Sequence, residues 1–275
     1  MTCFFIGGAP RSGGTLLTSI LCSDRTTNPT LREAHYLREM VQAYRQGKQF
    51  FNTLEGGHYF SDLNELRQFS ARWVDAFLDK LAVRHAPATN LVLKSFLMSV
   101  MFPATFELLP EARFLISVRD PRDIACSQID VGEKQRKQGL NVRFPRNVTR
   151  LSRENRHYYL PSMTFQHPDF RKHVLFVRYE DLVREPDIQI ERIRAFTGLA
   201  LEDYDPDKLW TGGGRDFSSD HKSGDPYINE LYGRRMSSKR VGRFRNMLTA
   251  DEIRIIEAEC APLFSAFGYK VECRT

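Results

Sequence analysis

Apolar and polar segments alternate along the chain in a pattern that predicts strands separated by helices. Short apolar runs that end in glycine or polar residues, as buried strands do, cover residues 3–8, 91–94, 112–120 and 173–182. The segments between them show helical periodicity or helix-capping residues. This alternation is typical of an α/β fold with an open, mainly parallel β-sheet and helices on both faces. Because no internal repeat or clear boundary interrupts it, we expect a single domain over residues 1–275.

Residues 36–83 are predicted to be mostly helical, with an interruption at Gly56-Gly57. In the second half of this region, apolar residues recur at helical spacing. The expected buried face consists of Phe69, Trp73, Ala76, Phe77 and Leu81. The many aromatic side chains of residues 36–77 have two interpretations, helix core or the lining of an acceptor cleft, and both stay open.

Capping residues predict two further helices in the C-terminal part. A glycine ends the helix over residues 186–198. Thr249 and Glu252 form a capping box at the start of the last helix, which runs to Gly268. Residues 202–240 are polar, glycine-rich and irregular, and a loop of that length is usually functional or mobile.

Composition and charge narrow the class of protein. The 275 residues are 41% hydrophobic and carry a net charge of +6, which suits a soluble globular protein with an anionic ligand. Residues 132–150 hold six lysines and arginines against one glutamate. That segment is either a solvated basic loop or a lid over an anionic ligand. Because no RNA- or DNA-binding signature accompanies it, we expect no nucleic-acid partner.

The cysteine pattern indicates a reducing compartment. The cysteines are Cys3, Cys22, Cys126, Cys260 and Cys273. Their odd number and scattered positions, without a C-x-x-C pair, argue against a disulfide framework or a zinc site. No apolar run approaches the roughly 18 residues of a membrane helix, and the first strand leaves no room for a signal peptide. We therefore expect a cytoplasmic protein without a membrane span.

A glycine-rich turn between the first strand and the first helix predicts an anion-binding loop. It lies in "GGAPRSGGTLL", and its candidate binding residues are Pro10, Arg11, Ser12, Gly13, Gly14 and Thr15. Backbone N–H groups in such a turn and the positive end of the helix dipole favour an anion, and Arg11 adds a cation. The P-loop pattern G-x-x-x-x-G-K-[ST] lacks its lysine here, and no Walker B strand follows. Mg²⁺–nucleotide chemistry is therefore poorly supported, and we expect an anion that needs no metal.

Polar residues at the third strand end form a second candidate cluster, because ligands of such sheets bind at the carboxyl ends of the strands. Arg119 ends that strand, and Ser127 lies about two turns into the following helix, so the two are placed to share one phosphate. The alternative is a strand-end network of ion pairs. Its members would be Arg119, Asp120, Arg122 and Asp123.

Together the two clusters resemble the PAPS-dependent sulfotransferase family, where PAPS is 3′-phosphoadenosine 5′-phosphosulfate. "GGAPRSGGTLL" resembles the 5′-phosphosulfate loop of that family, and "FLISVRDPRDIACS" resembles its 3′-phosphate strand and helix. The resemblance continues in "LKS", "VRYEDLVREP" and "SSKRVGRFRN". The loop, the acidic "REAH" and the Ser-Ser pair look most like the tyrosylprotein sulfotransferase branch and its bacterial relatives. The resemblance implies the sulfotransferase fold, PAPS as donor, adenosine 3′,5′-bisphosphate as product and no metal.

The resemblance also implies roles for single residues. It implies that the 5′-phosphosulfate is bound by Arg11, Ser12, Gly13 and Thr15. It implies that the 3′-phosphate is bound by Arg119 and Ser127 and that Tyr179 lies near the adenine. Ser238 and Arg243 are expected to close over the cofactor. Gly14 stands where the branch has a threonine, and Arg243 where it has a lysine. Val131 stands where it has a further 3′-phosphate arginine, which leaves Lys134 and Arg136 as candidate substitutes.

Sulfuryl transfer requires a stabilised leaving group and a base for the acceptor hydroxyl. Lys94, at the end of the second strand beside the loop, is expected to follow the bridging oxygen. By resemblance, Ser237 joins Lys94 and Arg11 around the sulfate. The candidate bases in "REAHYL" are Glu33 and His35. The branch resembled uses a glutamate, which favours Glu33 if one residue is inserted before it.

Two other functions stay open. One is a P-loop kinase-like phosphotransferase, which needs ATP and Mg²⁺, and the other is a non-catalytic nucleotide-binding protein. The acceptor is open as well. The branch points to peptide tyrosine, whereas the basic segment 132–150 suits an acidic peptide or an anionic glycan, and a small molecule is a further candidate. The oligomeric state is not readable from the sequence.

Overall fold

A parallel sheet forms the centre of the molecule. The computed structural model describes residues 1–51, 53, 56–207, 224–232 and 234–272. Its strands are β1 (Cys3–Gly7), β2 (Leu91–Lys94), β3 (Arg113–Val118) and β4 (Val174–Arg178), in the spatial order β2-β1-β3-β4. The pairings between neighbours are parallel. Because β1 lies between β2 and β3, the residues that follow these three strands meet at one edge of the sheet.

Helices cover both faces of the sheet. The α-helices of the described residues are α1 (Gly14–Leu21), α2 (His35–Phe51), α3 (Leu63–Arg84), α4 (Phe102–Leu108), α5 (Pro121–Lys137), α6 (Val148–His157), α7 (Leu160–Thr164), α8 (Pro168–Lys172), α9 (Tyr179–Arg184), α10 (Pro186–Thr197), α11 (Ala250–Glu259) and α12 (Ala261–Phe267). Alternate side chains of β1 enter two cores: Phe5 packs with residues of α2, α3 and α4, whereas Phe4 and Ile6 pack with residues of α1, α9 and α10. The predicted α/β fold is confirmed.

The predicted strands agree with the structure to within two residues, except at the end of the fourth. β4 stops at Arg178, and Tyr179 already begins α9, so the expected strand over residues 173–182 was too long. The reason lies in the neighbouring strand. β3 ends at Val118, whose partner in the ladder is Arg178, and the next residues have no strand to pair with.

The buried face predicted for α3 was partly wrong: Phe77 and Leu81 pack against the core, but its other three members do not. Phe69 is 56% exposed and Trp73 is 43% exposed, and Ala76 is also exposed. The residues that enter the core are Leu66, Ser70, Val74 and Leu78. α3 packs against α2 and α4 through this row. Neither of the two expected interpretations, helix core or cleft lining, therefore describes the two exposed aromatic side chains.

The basic segment 132–150 is a loop only over residues 138–147. Its first part continues α5 to Lys137, and its last residues begin α6 at Val148. Several of its charges are paired at the surface, for example Arg146 with Glu252 at 2.8 Å. The segment therefore contributes helix ends, surface ion pairs and, through Arg143 and Phe144, part of the lining of a cleft.

The expected last helix is divided in two. Its capping box is confirmed, because the Thr249 hydroxyl accepts the Glu252 N–H at 3.2 Å and the Glu252 carboxylate accepts the Thr249 N–H at 2.9 Å. α11 ends before Cys260, and Pro262 lies in the first turn of α12. A proline cannot donate the helical hydrogen bond of its position, which ends one helix and starts the next.

The chain before α11 is irregular where it is described. Residues 202–207, 224–232 and 234–240 contain neither helix nor strand, as predicted, and residues 208–223 and 233 lie outside the described part. Within the described ranges, no helix combines the length and hydropathy needed to cross a membrane.

Candidate functional site

Two glycines with left-handed backbone shape the turn between β1 and α1. Gly8 has a φ of 115° and Gly13 a φ of 111°. A Cβ atom on Gly8 would lie 2.3 Å from the Ser117 carbonyl oxygen, and one on Gly13 would lie 2.8 Å from Cδ2 of Tyr179. The N-cap position of α1 is Gly13, which has no side chain to cap the helix. The first N–H groups of α1 therefore stay available to an anion.

Inside this turn, the predicted binding residues take different positions. The Pro10 carbonyl accepts the Gln128 side-chain N–H at 3.2 Å. Ser12 is buried, and its own N–H donates to the Ala9 carbonyl at 3.1 Å. Thr15 follows in the first turn of α1, and its hydroxyl accepts a hydrogen bond from Lys94 Nζ at 3.2 Å. Of these residues, Thr15 brings a hydroxyl to the helix N-terminus.

Arg11 joins the turn to two other parts of the molecule. It also has a left-handed backbone, with φ of 77°. Its Nε donates to the Ser127 hydroxyl at 3.1 Å, and its NH1 donates to the Tyr227 carbonyl at 2.6 Å. The guanidinium therefore lies between the N-terminus of α1 and the helix that carries Ser127.

Arg119 and Ser127 line the same cleft. Arg119 follows β3 and is buried, and its NH1 and NH2 donate to the carbonyls of Arg11 at 3.3 Å and Arg240 at 2.7 Å. Its guanidinium lies 4.6 Å from the centroid of the Tyr179 ring, and burial raises the pKa of that phenol. Arg119 Nε is buried without a hydrogen-bond partner among the described residues. An unpaired buried donor on a cation is what an anionic ligand would satisfy.

The alternative ion-pair network exists, but without Arg119. Arg122 bridges Asp120 at 2.7 Å and Glu257 at 2.5 Å, and it is only 3% exposed. This network ties the start of α5 to α11. Arg119 instead lines the cleft, and its sharing of a phosphate with Ser127 stays a prediction.

Asp123 ties the C-terminal segment to the start of α5. Its carboxylate accepts the N–H groups of Gly242 at 2.7 Å and Phe244 at 3.0 Å. Burial raises the pKa of this carboxyl group. These two hydrogen bonds hold the residues before Gly242 over the carboxyl edge of the sheet.

Lys94 and Glu33 form the second centre of the site. Lys94 Nζ lies 3.1 Å from Glu33 Oε1, and both side chains are about one-fifth exposed, at 20% and 22%. Glu33 Oε2 accepts the Phe96 N–H at 3.1 Å, and the Ala34 N–H donates to the Lys94 carbonyl at 2.9 Å. The carboxylate is thus held by the Lys94 side chain and by the Phe96 N–H, and the backbone beside Glu33 is bonded to the end of β2. Together with the Thr15 contact, this pair places a cation and a carboxylate beside the N-terminus of α1.

His35, the rival base, begins α2 and is exposed. It lines the same cleft as Glu33 and Lys94. Among the described contacts, its ring has no hydrogen bond or ion pair, whereas Glu33 is held by two partners. The geometry therefore favours Glu33 as the positioned group.

The predicted binding residues of the segment 234–246 have different surroundings. Ser237 lines the cleft, and its hydroxyl accepts the Lys239 N–H at 3.2 Å. The Ser238 carbonyl accepts the Val241 N–H at 2.8 Å. Arg243 forms an ion pair with Asp130 on α5, with NH2 3.1 Å from Oδ1. Closure of Ser238 and Arg243 over a cofactor stays a prediction.

The sequence interpretation missed Arg240. Val131, where a cation was wanted, is 2% exposed and lies in the core. Of the two suggested substitutes, Lys134 donates to the Ile228 carbonyl at 2.8 Å and Arg136 is exposed on α5. Arg240, in contrast, lines the cleft together with Arg119 and Ser127. Its place in "SSKRVGRFRN" was a signal, but nothing local distinguished it from its basic neighbours.

These groups line one cleft with two lobes that meet at α1. The first lobe, of about 680 Å³ including open solvent, is lined by Gly13, Arg119, Ser127, Tyr179, Ser237 and Arg240. The second, of about 1160 Å³, is lined by Glu33, His35, Lys94, Phe96, Arg143 and Phe144. Arg11, Gly14 and Thr15 border both lobes. The arrangement suits a ligand with two anionic groups in the first lobe and a proton transfer in the second.

A metal would have few ligands here. The described residues contain no group of three or more histidines, cysteines, aspartates or glutamates placed to hold an ion. The donors of the first lobe are instead guanidinium, hydroxyl and backbone N–H groups, which bind anions.

Comparison with known proteins gives concordant findings. Residues 4–203 match the model described as "Sulfotransferase family". The chain is 26% identical over 274 residues to a "Protein-tyrosine sulfotransferase" of Drosophila melanogaster, covering 98% of this chain and 52% of the relative. It is 26% identical over 276 residues to "Protein-tyrosine sulfotransferase 1" of Danio rerio, covering 98% of this chain and 72% of the relative. The chain thus spans about half the length of the fly relative.

Solved structures with similar folds support the architecture. The "Sulfotransferase Domain from the Curacin Biosynthetic Pathway" matches with a TM-score of 0.59 and 18% identity over 98% of each chain. The "Sulfotransferase Domain from the Synechococcus PCC 7002 Olefin Synthase" matches with a TM-score of 0.53 and 19% identity over 98% of this chain and 95% of that chain. At this identity the likeness concerns the fold, and it agrees with the fold predicted from the motifs.

Proposed function

Because the chain belongs to the sulfotransferase family, we propose that it transfers the sulfuryl group of PAPS to an acceptor hydroxyl. The observation that carries the proposal is the two-lobed cleft. Arg119, Ser127 and the N-terminus of α1 border one lobe, and the Lys94–Glu33 pair borders the other. Thr15, in contact with Lys94, lies where the lobes meet. A donor bound in the first lobe would therefore present its reacting group to the second.

The first lobe is proposed to hold the nucleotide part of PAPS. The N–H groups at the start of α1, with Arg11 and Thr15, would bind the 5′-phosphosulfate. Arg119 and Ser127 would bind the 3′-phosphate, since the buried Arg119 Nε has no partner among the described residues. Tyr179, stacked beside Arg119, would border the base. When bound, PAPS supplies an activated sulfuryl group that needs no metal for its transfer.

Lys94 and Glu33 are proposed to perform the two remaining tasks. The Lys94 ammonium, held 3.2 Å from the Thr15 hydroxyl, would stabilise the charge that develops on the leaving oxygen. Glu33, fixed by Lys94 and by the Phe96 N–H, would accept the proton of the acceptor hydroxyl. An in-line transfer would need both groups near the reacting oxygens, and the 3.1 Å contact places Lys94 and Glu33 beside each other in the second lobe.

We propose peptide tyrosine as the acceptor class. The similarity to protein-tyrosine sulfotransferases of Drosophila melanogaster and Danio rerio supports it. So does the second lobe, where Phe96, Phe144 and Tyr227 offer aromatic surface to a phenol ring and Arg143 offers a cation to an acidic neighbour. An anionic glycan and a small hydroxyl compound are the competing acceptors that the test below separates.

A reducing, cytoplasmic location is also proposed. Four of the five cysteines are free and buried in the described part: Cys3, Cys22, Cys126 and Cys260. Burial raises the pKa of each of these thiols to about 12, so they are inert core residues. Fractionation of the native cells followed by detection of the protein would test the location.

The test of function is transfer of label from PAPS carrying ³⁵S. Purified protein is incubated with an acidic tyrosine peptide, the matched phenylalanine peptide, an anionic glycan and a small phenol. We expect label on the tyrosine peptide, none on the phenylalanine peptide, and release of adenosine 3′,5′-bisphosphate in equal amount. Label on another acceptor would correct the acceptor class. Tight nucleotide binding without transfer to any acceptor would favour the non-catalytic alternative.

A further inference from the structure

The face of α5 that borders the cofactor lobe carries a carboxylate one turn beyond Ser127. Ser127 and Asp130 are three residues apart, so they lie on the same side of the helix. Val131, the position where a second cation for the 3′-phosphate was wanted, points into the core and is 2% exposed. A residue at position 131 of this helix therefore does not reach the cleft. Position 131 therefore does not supply that cation.

Asp130 draws two arginines from the C-terminal segment to that face. Its carboxylate pairs with Arg243 and lies 3.5 Å from NH1 of Arg240. Arg240 is also fixed through its backbone, because its carbonyl accepts the Arg119 NH2 at 2.7 Å. Of the two arginines, Arg240 lines the lobe with Arg119 and Ser127. Its side chain is 14% exposed, so its charge is only partly screened by solvent.

A third partner of Arg240 lies on the segment 224–232. Glu230 accepts from Arg240 Nε at 3.0 Å and from NH2 at 2.5 Å. The Glu230 side chain is 57% exposed, whereas that of Asp130 is 20% exposed. With both carboxylates in place, the two arginines are formally neutralised. Removal of Glu230 from Arg240 leaves one positive charge beside Ser127.

We propose that Arg240 supplies the guanidinium for the 3′-phosphate that position 131 does not, and that Glu230 is the counter-ion it exchanges for the phosphate. This inference rests on the proposed function, because it takes adenosine 3′,5′-bisphosphate as the ligand of the lobe. Glu230 is the carboxylate that leaves, since it is the more solvated of the two and regains its hydration most easily. A phosphate dianion offers the fork of Arg240 more charge than a carboxylate does.

The exchange also couples the nucleotide to the segment 224–232. Arg11 holds the same segment through the Tyr227 carbonyl at 2.6 Å. Two of the arginines that border the cofactor lobe, Arg11 and Arg240, are therefore bonded to this segment. A ligand that engages Arg11 and Arg240 competes with the segment at two points.

Calorimetric titration with adenosine 3′,5′-bisphosphate and with adenosine 5′-monophosphate tests the inference, because the two ligands differ only in the 3′-phosphate. For Arg240→Met, we expect the bisphosphate affinity to fall on the order of 10–100-fold, the value of a lost charge-assisted hydrogen bond, with the monophosphate affinity unchanged. For Glu230→Gln, the bisphosphate should bind several-fold more tightly and the monophosphate as before. Arg136→Met removes an exposed arginine of α5. It is the matched control and should change neither affinity.

Several outcomes would overturn the inference. If Arg240→Met loses affinity for both ligands equally, Arg240 only supports Arg119. If Arg136→Met loses affinity for the bisphosphate, the phosphate is bound by that arginine. If Arg240→Met fails to fold, Arg240→Lys keeps the charge and should lose part of the preference for the bisphosphate. If the wild-type protein prefers the bisphosphate and the Arg240 variants keep that preference, this inference is refuted but the proposed function is not. Wild-type protein that binds neither ligand would refute the proposed function as well.

Discussion

The contact between Glu33 and Lys94 makes Glu33→Gln the most informative substitution. Glu33 Oε1 lies 3.1 Å from Lys94 Nζ, and Oε2 accepts the Phe96 N–H at 3.1 Å. Glutamine keeps the length of the side chain, and its amide oxygen accepts the same backbone N–H. It lacks the negative charge and the capacity to take a proton. The variant therefore removes the base while it preserves most of the shape of the site.

The expected magnitudes follow from the exposure of the pair. The two side chains are 22% and 20% exposed, so the ion pair is intermediate between a surface pair and a buried pair. Its loss should cost on the order of 1 kcal/mol of folding free energy. A positioned general base contributes on the order of 10²–10⁴ to the rate, so we expect turnover to fall roughly 10³-fold. Affinity for adenosine 3′,5′-bisphosphate should hardly change, since Glu33 lies in the other lobe.

The assay combines single-turnover transfer from labelled PAPS with calorimetric titration of the product nucleotide. His35→Gln is the matched control, because His35 lines the same lobe without a described partner, and it should retain most of the activity. Full turnover in Glu33→Gln would refute the assignment of the base. Loss of activity in His35→Gln instead would move the base to that residue. Loss of nucleotide binding in Glu33→Gln would show that the carboxylate supports the cofactor lobe.

Three further predictions concern the loop and its supports. Gly13 has a left-handed φ, and a Cβ there would lie 2.8 Å from Tyr179, so Gly13→Ala should weaken nucleotide binding roughly tenfold in calorimetry. The nearest neighbours of a Cβ on Gly14 lie at 3.9 Å, so Gly14→Ala should preserve binding and stabilise α1 by up to about 1 kcal/mol. A larger loss of binding in Gly14→Ala than in Gly13→Ala would contradict the loop geometry. Arg122→Met, which leaves two buried carboxylates without their cation, should lower the free energy of unfolding by about 3–5 kcal/mol in denaturant titration, and a neutral result would show that the network is dispensable. The hydrogen bond from Arg146 lowers the pKa of Glu252 in the folded protein. The pair therefore stabilises the fold above the pKa of about 4.3 that glutamate has in the unfolded chain, and this stabilisation is lost as the pH falls through the lower pKa of the folded state. Glu252→Gln should flatten this acid limb of the unfolding curve, and an unchanged limb would exclude the pair as its source.

Local sequence signals were sufficient for the sheet edge that carries the site. The apolar runs end where polar residues begin, so the positions of Lys94 and Arg119 at strand ends followed from the pattern alone. The order of strands, with β2 beside β1, then brings Lys94 to Thr15. Glycine-rich spacing likewise predicted the turn, because few residues other than glycine adopt the backbone angle that Gly13 shows.

Two features were beyond the reach of local pattern. The buried face predicted for α3 followed the helical spacing of apolar residues that include Phe69 and Trp73. Packing against α2 and α4 instead selects the stripe of smaller aliphatic residues that includes Val74. Arg240 meets Asp130 across 110 residues of sequence, and such a pair is visible only once the chain is folded. For the same reason the core position of Val131 could not be read in advance.

The central claim is that the cleft binds a bisphosphorylated adenosine nucleotide without metal, as a PAPS-dependent enzyme must. Thermal unfolding of the protein with adenosine 3′,5′-bisphosphate, compared with ATP and Mg²⁺, tests it most directly. If the cleft binds the bisphosphate without metal, the bisphosphate should raise Tm in the presence of a chelator, since a ligand at 100 times its Kd stabilises the folded state by about 2.7 kcal/mol. Stabilisation by ATP and Mg²⁺ with no effect of the bisphosphate would contradict the account and favour a phosphotransferase.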